Sequence, residues 1–307
     1  MTTTVSAEFV KQQAAEVGFQ ACGIAPAAPL HSEEFPLRQW LAAGYHADMD
    51  YMQQHVDMRY DPRQLVEGAR SVVSLLLAYK PDRRTEGNLR IAQYAYGDDY
   101  HQRLKGMLFQ LMDRLKQRYP DFQGRPFVDT APISDRHWAV RAGLGWIGNN
   151  TLLINPHYGS YCFIGEIVTT SAMDRYDEPV AGSCGNCRRC VQACPNGAIV
   201  FNVESHCFMV DARSCSSYNT IENRDDRLPE NVDTKGYIFG CDICQLACPF
   251  NETAPSSFSL SDDRKEAIEH LPLADETAFR HFAKHSPLNR IKYPQWQRNI
   301  AHASKNR

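Results

Sequence analysis

The chain has no apolar run approaching the ~18 residues of a membrane span, which excludes a helical membrane protein. Met1-Thr-Thr-Thr-Val-Ser6 holds no basic stretch followed by an apolar one, so no secretory leader is expected. There is no internal repeat and no low-complexity segment, which excludes a solenoid and a disordered linker. Charge of either sign is scarce in excess: the net value is −3, too small to make the whole chain a general nucleic-acid binder. No haem, molybdenum or flavin motif is visible. What remains is an ordinary soluble composition on 307 residues, enough for two domains or for one domain with an insert. Cysteine is the exception. There are 11, an odd number, and they crowd between Cys184 and Cys248. That distribution argues against a disulfide framework and for reduced thiolates holding metal in a reducing cytoplasm.

Two runs carry the chemistry. Cys184-Gly-Asn-Cys187-Arg-Arg-Cys190-Val-Gln-Ala-Cys194-Pro195 has the C-x2-C-x2-C-x3-C-P spacing of bacterial ferredoxins. In that pattern three thiolates wrap one [4Fe–4S] cluster and the fourth serves a second. Cys241-Asp-Ile-Cys244-Gln-Leu-Ala-Cys248-Pro249 is the same pattern without its first cysteine. Each run ends in proline, where the chain turns without needing an N–H. Cys215 is the expected missing ligand, with Cys207 as its rival. The crossing rule then gives Cys184, Cys187, Cys190 and Cys248 to cluster one, and Cys194, Cys215, Cys241 and Cys244 to cluster two. Structural zinc would favour paired C-x2-C knuckles with a longer gap, a poorer match. Cys22 and Cys162 lie in apolar surroundings and read as buried small hydrophobes.

The expected architecture is an α/β (α+β) domain over residues 1–175, a ferredoxin-like double-cluster module over 176–255, and a helical tail over 256–307. Ser6 to Val17 reads as a helix capped by Ser6 and ended by Gly18. Ser71 to Tyr79 reads as a strand buried on both faces. Ile91 to Tyr96 reads as a further strand or strand edge. Tyr100 to Tyr119 has Leu104, Leu108, Leu111, Met112 and Leu115 at helical spacing, a core-facing stripe. Pro126 to Thr130 reads as a strand, and Ser134 to Ala142 as a helix capped by Ser134. Gly143-Leu-Gly145-Trp-Ile-Gly148 matches G-x-G-x-x-G, but a helix precedes it and a strand follows, the reverse of a dinucleotide site. These glycines are expected to let a loop approach something bulky and flat. Asp129 after a strand and Asp135 in the first turn of a helix are candidate proton donors, with carboxyls expected to be raised by the neighbouring Trp138 and Val128. From Thr277 to Arg307 there are seven Lys/Arg and no Asp or Glu, a local basic patch suited to a polyanion.

Several segments together resemble the epoxyqueuosine reductases. They are Tyr51-Met-Gln-Gln-His55 with Arg59, Gly68-Ala-Arg-Ser-Val72, Tyr94-Ala-Tyr-Gly97 with Asp99-Tyr-His101, and Val128-Asp-Thr-Ala-Pro132. Arg141 to Ile154, Tyr158-Gly-Ser-Tyr161, Gly165-Glu166, both cysteine runs, Ser217 to Glu222 and Ser286-Pro-Leu-Asn-Arg290 continue the resemblance. It implies a base-off cobalamin between the first domain and the cluster module, fed by two [4Fe–4S] clusters. It implies reduction of epoxyqueuosine in tRNA to queuosine, with a flavodoxin- or ferredoxin-like donor of low-potential electrons, in the cytoplasm and as a monomer. Asp129 takes the proton-donor role by resemblance, with Asp135 in reserve. Arg59, Gly143, Gly145, Gly148, Asn155, His157, Tyr158, Gly159 and Ser160 are expected at the corrin. Arg280, Lys284, Arg290, Lys292 and Arg298 are expected on the tRNA backbone. The competing reading is a corrinoid reductive dehalogenase acting on a small molecule. A bare electron-transfer module and an RNA-binding protein with a structural cluster are weaker alternatives.

Overall fold

Ser6 opens helix α1 (Ala7–Val17), its Oγ accepting from the Phe9 N–H, and Gly18 closes it at φ +107°. Strand β1 (Ala21–Pro26), helix α2 (His31–Ala42) and a short helix α3 (Val56–Tyr60) lead to strand β2 (Ser71–Ala78). The computed structural model describes residues 4–129 and 131–305, so Thr130 of the aspartate loop and Arg307 of the basic segment lie outside the described residues. Strand β3 (Arg90–Ile91) is shorter than the expected strand. The chain coils into a 3-10 turn at Gln93–Ala95 instead, where the Gln93 N–H donates to the buried Asp242 carboxylate at 2.8 Å rather than to a sheet. Helix α4 (Tyr100–Arg118) is capped by Asp99 and runs into strand β4 (Gly124–Val128). Helix α5 (Asp135–Arg141) follows Ser134, whose Oγ pairs with His137 Nδ1 at 2.8 Å and does not cap the helix as expected. Short strands β5 (Trp146–Ile147) and β6 (Leu153–Ile154) form a hairpin before strand β7 (Cys162–Thr169).

Strands β1, β2, β7 and β4 make one sheet in the order β1-β2-β7-β4, with every pairing antiparallel. All eight residues of β2 are buried because helices cover both faces. On one face Val73, Leu75, Leu77 and Ile167 pack with Val10 and Ala14 of α1 and Leu104, Leu108, Leu111 and Leu115 of α4. Each fully buried leucine contributes about 1.5–3 kcal/mol relative to exposure. A Cβ on Gly165 would meet Leu104 and Leu108 at 3.2 Å, so glycine lets α4 sit close. On the other face Val72, Leu76, Ile164 and Val168 pack against Trp138 and Ala139 of α5.

Helix α6 (Arg189–Ala193) grows out of the first cysteine run, and the hairpin of β8 (Ile199–Asn202) and β9 (Cys207–Val210) follows. Helix α7 (Ser216–Ile221), strand β10 (Tyr237–Phe239) and helices α8 (Ile243–Leu246) and α9 (Pro249–Thr253) complete the module. The tail forms α10 (Asp262–His270), α11 (Glu276–Ala283) and α12 (Tyr293–Lys305). It shares a third core with both other regions: Phe279, Leu288, Ile291 and Trp296 pack with Ile91, Ala95, Tyr96, Ile238 and Phe239. The tail is thereby fixed against the aspartate-bearing region through an apolar interior.

Candidate redox site and cleft

The cysteine runs fold into two neighbouring sets of thiols. Cys184, Cys187, Cys190 and Cys248 line one small closed cavity with Asn149, Asn150, Ile154, Pro249 and Phe250. Cys194, Cys215, Cys241 and Cys244 form the second set, in which Cys215 interacts with Cys194 and Cys241 with both. Cys194, Cys215 and Cys248 share one extended backbone conformation, each at a helix boundary, so three well-separated positions present their thiols in the same way. Among the described residues no three His, Cys, Asp or Glu side chains converge tightly enough for a single ion. Burial pushes Cys241 up to about 12 and also raises Cys190, Cys215, Cys244 and Cys248. Metal ligation would therefore have to displace protons. Cys207 stands elsewhere, 3.2 Å from Ser205 Oγ in β9. Burial likewise pushes Cys22 and Cys162 up to about 12, which makes them inert.

Asp129 sits beyond the end of β4 at φ +38°, a left-handed backbone that costs a non-glycine residue roughly 1–2 kcal/mol. Its Oδ2 accepts from the Tyr100 hydroxyl at 2.6 Å and pairs with His101 Nε2 at 3.0 Å. His101 Nδ1 in turn pairs with Asp99 Oδ1 at 2.8 Å. Tyr100 stacks on Phe163 at 4.1 Å and on His101 at 4.0 Å, which fixes both polar tips. Loss of solvent alone would raise Asp129. The hydrogen bonds from His101 and Tyr100 and the charges of His101 and Arg290 outweigh it and hold the carboxyl below its usual range. Loss of solvent would lower His101, but Asp129 and Asp99 overcome that and raise it. Asp129 is therefore an anion at rest, contrary to the raised acid expected from its neighbours, and the nearby proton sits on His101. Burial does raise Asp135, but it does not line the cleft into which Asp129 opens.

That cleft, about 570 Å³, is walled by all three regions of the chain. Arg59, Tyr94, Tyr100, His101 and Asp129 come from the first, Ile221 and Glu222 from the cluster module, and Pro287 and Arg290 from the tail. Arg290 grips Glu222 through Nε and Nη2 at 3.0 and 2.8 Å, a forked ion pair that joins the last two regions at the rim. Arg59 Nε has no partner, although Nη2 donates to the Tyr51 carbonyl at 3.1 Å. Met52 also lines a second cavity, about 470 Å³, which has an apolar wall of Leu37, Trp40, Tyr60 and Phe208. Ile147, Gly148 and Asn149 form another side of it, and Asn149 also lines the four-cysteine cavity.

Several expected site residues have other work. A Cβ on Gly143 would strike the Glu178 carbonyl at 2.7 Å, on Gly145 the Ile154 carbonyl at 2.2 Å, and on Gly159 the Asn251 side chain at 2.0 Å. The chain's own backbone and neighbours already require glycine at these three positions. Asn155 closes its turn by accepting from the His157 and Tyr158 N–H groups at 3.0 Å, and Ser160 is enclosed by Asn251 and Gln245. His157 is exposed, and neither it nor Tyr158 walls the two cavities. In the tail, Arg298 is turned inward onto the carbonyls of Asn219, Asn223 and Asp225, which removes it from any backbone-binding role. Arg280 pairs with Glu276 one turn away, while Lys284 and Lys292 are exposed. Tyr100, Tyr94 and Glu222 were not singled out from the sequence. They lay within motifs that carried the resemblance, and only their convergence across long separations reveals a role.

The epoxyqueuosine reductase model (QueG, DUF1730) matches residues 59–130, and a 4Fe-4S double cluster binding domain matches residues 183–251. The epoxyqueuosine reductase of Cyclobacterium marinum is 41% identical over 306 residues, covering 95% of each chain. The structure of epoxyqueuosine reductase from Streptococcus thermophilus superposes with a TM-score of 0.86 at 25% identity, covering 97% of this chain and 80% of that one. An epoxyqueuosine reductase crystallised with a tRNA-Tyr epoxyqueuosine-modified stem loop gives a TM-score of 0.82 at 28% identity, covering 97% of this chain and 80% of that one.

Proposed function

Because the chain belongs to the epoxyqueuosine reductase family of oxidoreductases, we propose that it reduces epoxyqueuosine to queuosine in tRNA with a bound cobalamin and two [4Fe–4S] clusters. The observation that carries this reading is the cleft shared by three regions, with an anionic Asp129 backed by His101, in a chain that also gathers four thiols around one small cavity. Cluster one would be held by Cys184, Cys187, Cys190 and Cys248, and cluster two by Cys194, Cys215, Cys241 and Cys244. The two cavities, which share Met52, suit the parts of a large, mostly apolar ligand with polar edges: Trp40, Tyr60 and Phe208 supply flat apolar wall in one, and Arg59 Nε is an unpartnered donor at the other. Bound there, cobalamin would supply the low-potential electron chemistry needed at a carbon–oxygen bond.

Converting the epoxide to an alkene releases its oxygen as water and takes up two electrons and two protons. Asp129 faces the cleft and is the group that hands over a proton. Since it rests as a carboxylate, the proton it delivers comes from His101, whose own position is fixed by Asp99 and by stacking on Tyr100. Arg290 and Glu222 hold the rim together and orient what enters. Lys284 and Lys292 would meet tRNA phosphates, and Arg280 would join them if its exposed pair with Glu276 opens. No helix among the described residues is long and apolar enough to cross a membrane. We assign the chain to the cytoplasm, as a monomer served by a flavodoxin- or ferredoxin-like donor.

Anaerobic reconstitution with iron, sulfide and cobalamin, followed by turnover on epoxyqueuosine-containing tRNA, tests the reading. Queuosine should appear only with cobalamin and a low-potential reductant. Corrin and iron binding without queuosine would sink the substrate and direct attention to small organohalides.

A further inference from the structure

The cavity of Cys184, Cys187, Cys190 and Cys248 has one polar wall that is not sulfur. It comes from the turn after β5, where Asn149 and Asn150 enter from the first domain. The Asn149 N–H points to Cys184 Sγ at 3.4 Å, and its Nδ2 donates to the Cys187 carbonyl at 2.7 Å. Asn150 is 4% exposed. Its Oδ1 accepts from the Leu152 N–H at 3.3 Å, which fixes the orientation of the amide and leaves Nδ2 as the free end. That Nδ2 has no partner. A buried amide donor without an acceptor costs about 1–3 kcal/mol, so a native fold keeps one where something accepts from it. The cavity it lines has only thiols, carbon atoms and Asn149 as its other walls.

We propose that Asn149 and Asn150 are a donor pair that raises the reduction potential of the cluster held by Cys184, Cys187, Cys190 and Cys248. This rests on that ligand assignment. Reduction adds one negative charge spread over the cluster's sulfurs. An N–H aimed at them stabilises the reduced state more than the oxidised one, and more strongly in a cavity without water. Within the second set of thiols the donors are backbone groups, the Ala198 N–H to Cys194 Sγ at 3.3 Å, the Ser217 and Tyr218 N–H groups to Cys215 and the Ile243 N–H to Cys241, and no asparagine side chain with a free donor faces it among the described residues. The pair therefore distinguishes two clusters with identical ligand types. Asn149 also lines the cavity of about 470 Å³, so the electron is drawn toward the cluster that adjoins that cavity. Asn149 and Asn150 are positioning residues, acting through the cluster.

The test is a potentiometric titration of the anaerobically reconstituted full chain, followed by electron paramagnetic resonance, for the wild type, Asn150→Leu and Asn150→Asp. Asn150→Leu removes the donor at similar volume. Asn150→Asp keeps the acceptor for Leu152 and replaces the donor with an anion. In Asn150→Leu the equilibrium constant for reducing one cluster should fall about tenfold, about 59 mV for one electron. Asn150→Asp should shift it further in the same direction, while the other cluster stays in place. A purely structural asparagine would leave the Asn150→Leu potentials unmoved, and that result overturns the proposal. So does an equal shift of both clusters, or loss of iron from both variants, since the role assigned is tuning and not holding. Failure of the ligand assignment shows separately: a Cys187→Ala chain that keeps the iron content and both signals of the wild type would remove the premise whatever Asn150 does.

Discussion

Asp129 and Glu166 lie close together in the sheet and behave in opposite ways. Glu166 in the middle of β7 pairs across the sheet with Phe127, two residues before Asp129. Glu166 is fully buried and neither carboxyl oxygen has a partner, while Ser74 opposite it and Trp138 on α5 also hold unpartnered polar atoms. Burial, reinforced by the charges of Asp135 and Asp129, raises Glu166 well above the usual carboxyl range and keeps it neutral. Asp129 is exposed, its side chain open 54% to the cleft, and it receives Tyr100 and His101. The difference teaches that burial without partners keeps a carboxyl neutral, whereas access to water together with hydrogen-bond donors keeps one charged. It fits the role proposed for Asp129 and leaves Glu166 as a neutral interior acid.

The largest expected effect breaks the comparison on its active side. Asp129→Asn should lower single-turnover formation of queuosine by about 10²–10⁴-fold with iron and cobalamin content retained. Glu166→Gln, a near-isosteric neutral replacement, should leave that rate within about twofold. Equal losses in both variants would show that the assignment to Asp129 is wrong.

His101→Gln is expected to cost less, about tenfold near neutral pH, because Asp129 and Tyr100 remain. Its signature is the pH profile. In the wild type the proton on His101 is held by Asp129 and Asp99, so the rate should decline as pH rises through the raised His101 value. In the variant that alkaline limb should disappear. A limb that persists unchanged would place the proton elsewhere.

How much of this could be read from the chain depends on distance along it. Local patterns were legible: the Ser6 cap, the leucine stripe of α4 and both cysteine runs all follow from spacing within a few residues. Cys215 was preferred to Cys207 from the sequence, and the fold then puts Cys215 beside Cys194. The cleft was the least legible. Arg290 and Asp129 are separated by most of the chain and meet because the tail shares a core with β3 and β10. The charge of Asp129 was misread for a related reason. Trp138 and Val128 were visible neighbours in sequence, whereas the hydrogen bonds from Tyr100 and His101 arise from a different element. Gly143, Gly145 and Gly159 belong with it, since the atoms a side chain would strike come from remote segments.

On its interior side the comparison makes a prediction about stability. Well below its ordinary value of 4.5, Glu166 is protonated in both folded and unfolded chains and contributes no pH dependence. Above it the unfolded chain loses the proton while the folded chain keeps it, so stability falls as pH rises toward the raised folded value. The slope from this one group is about 1.4 kcal/mol per pH unit. Glu166→Gln removes that term. Urea melts between about pH 5 and about pH 7 should show the variant gaining on the wild type as pH increases. A constant difference would mean that Glu166 is charged in the folded state.

The smallest effect applies the same rule to cations in the tail. Arg298 and Lys292 stand six positions apart in a segment rich in positive charge, and sequence treats them alike. In the fold Arg298 is engaged by carbonyls of the cluster module, as Asp129 is engaged by its donors, while Lys292 is exposed. Arg298→Ala should therefore lower the melting temperature through lost hydrogen bonds, each about 0.5–1.5 kcal/mol, and leave the tRNA affinity of the folded fraction unchanged. Lys292→Ala should leave the melting temperature alone and reduce the dependence of log affinity on log salt by about 1, the loss of one phosphate contact. Gel-shift titrations at several salt concentrations, beside melts of the same preparations, separate the two. If Arg298→Ala changes the salt slope and Lys292→Ala does not, exposure in this fold is the wrong guide to the RNA-facing surface.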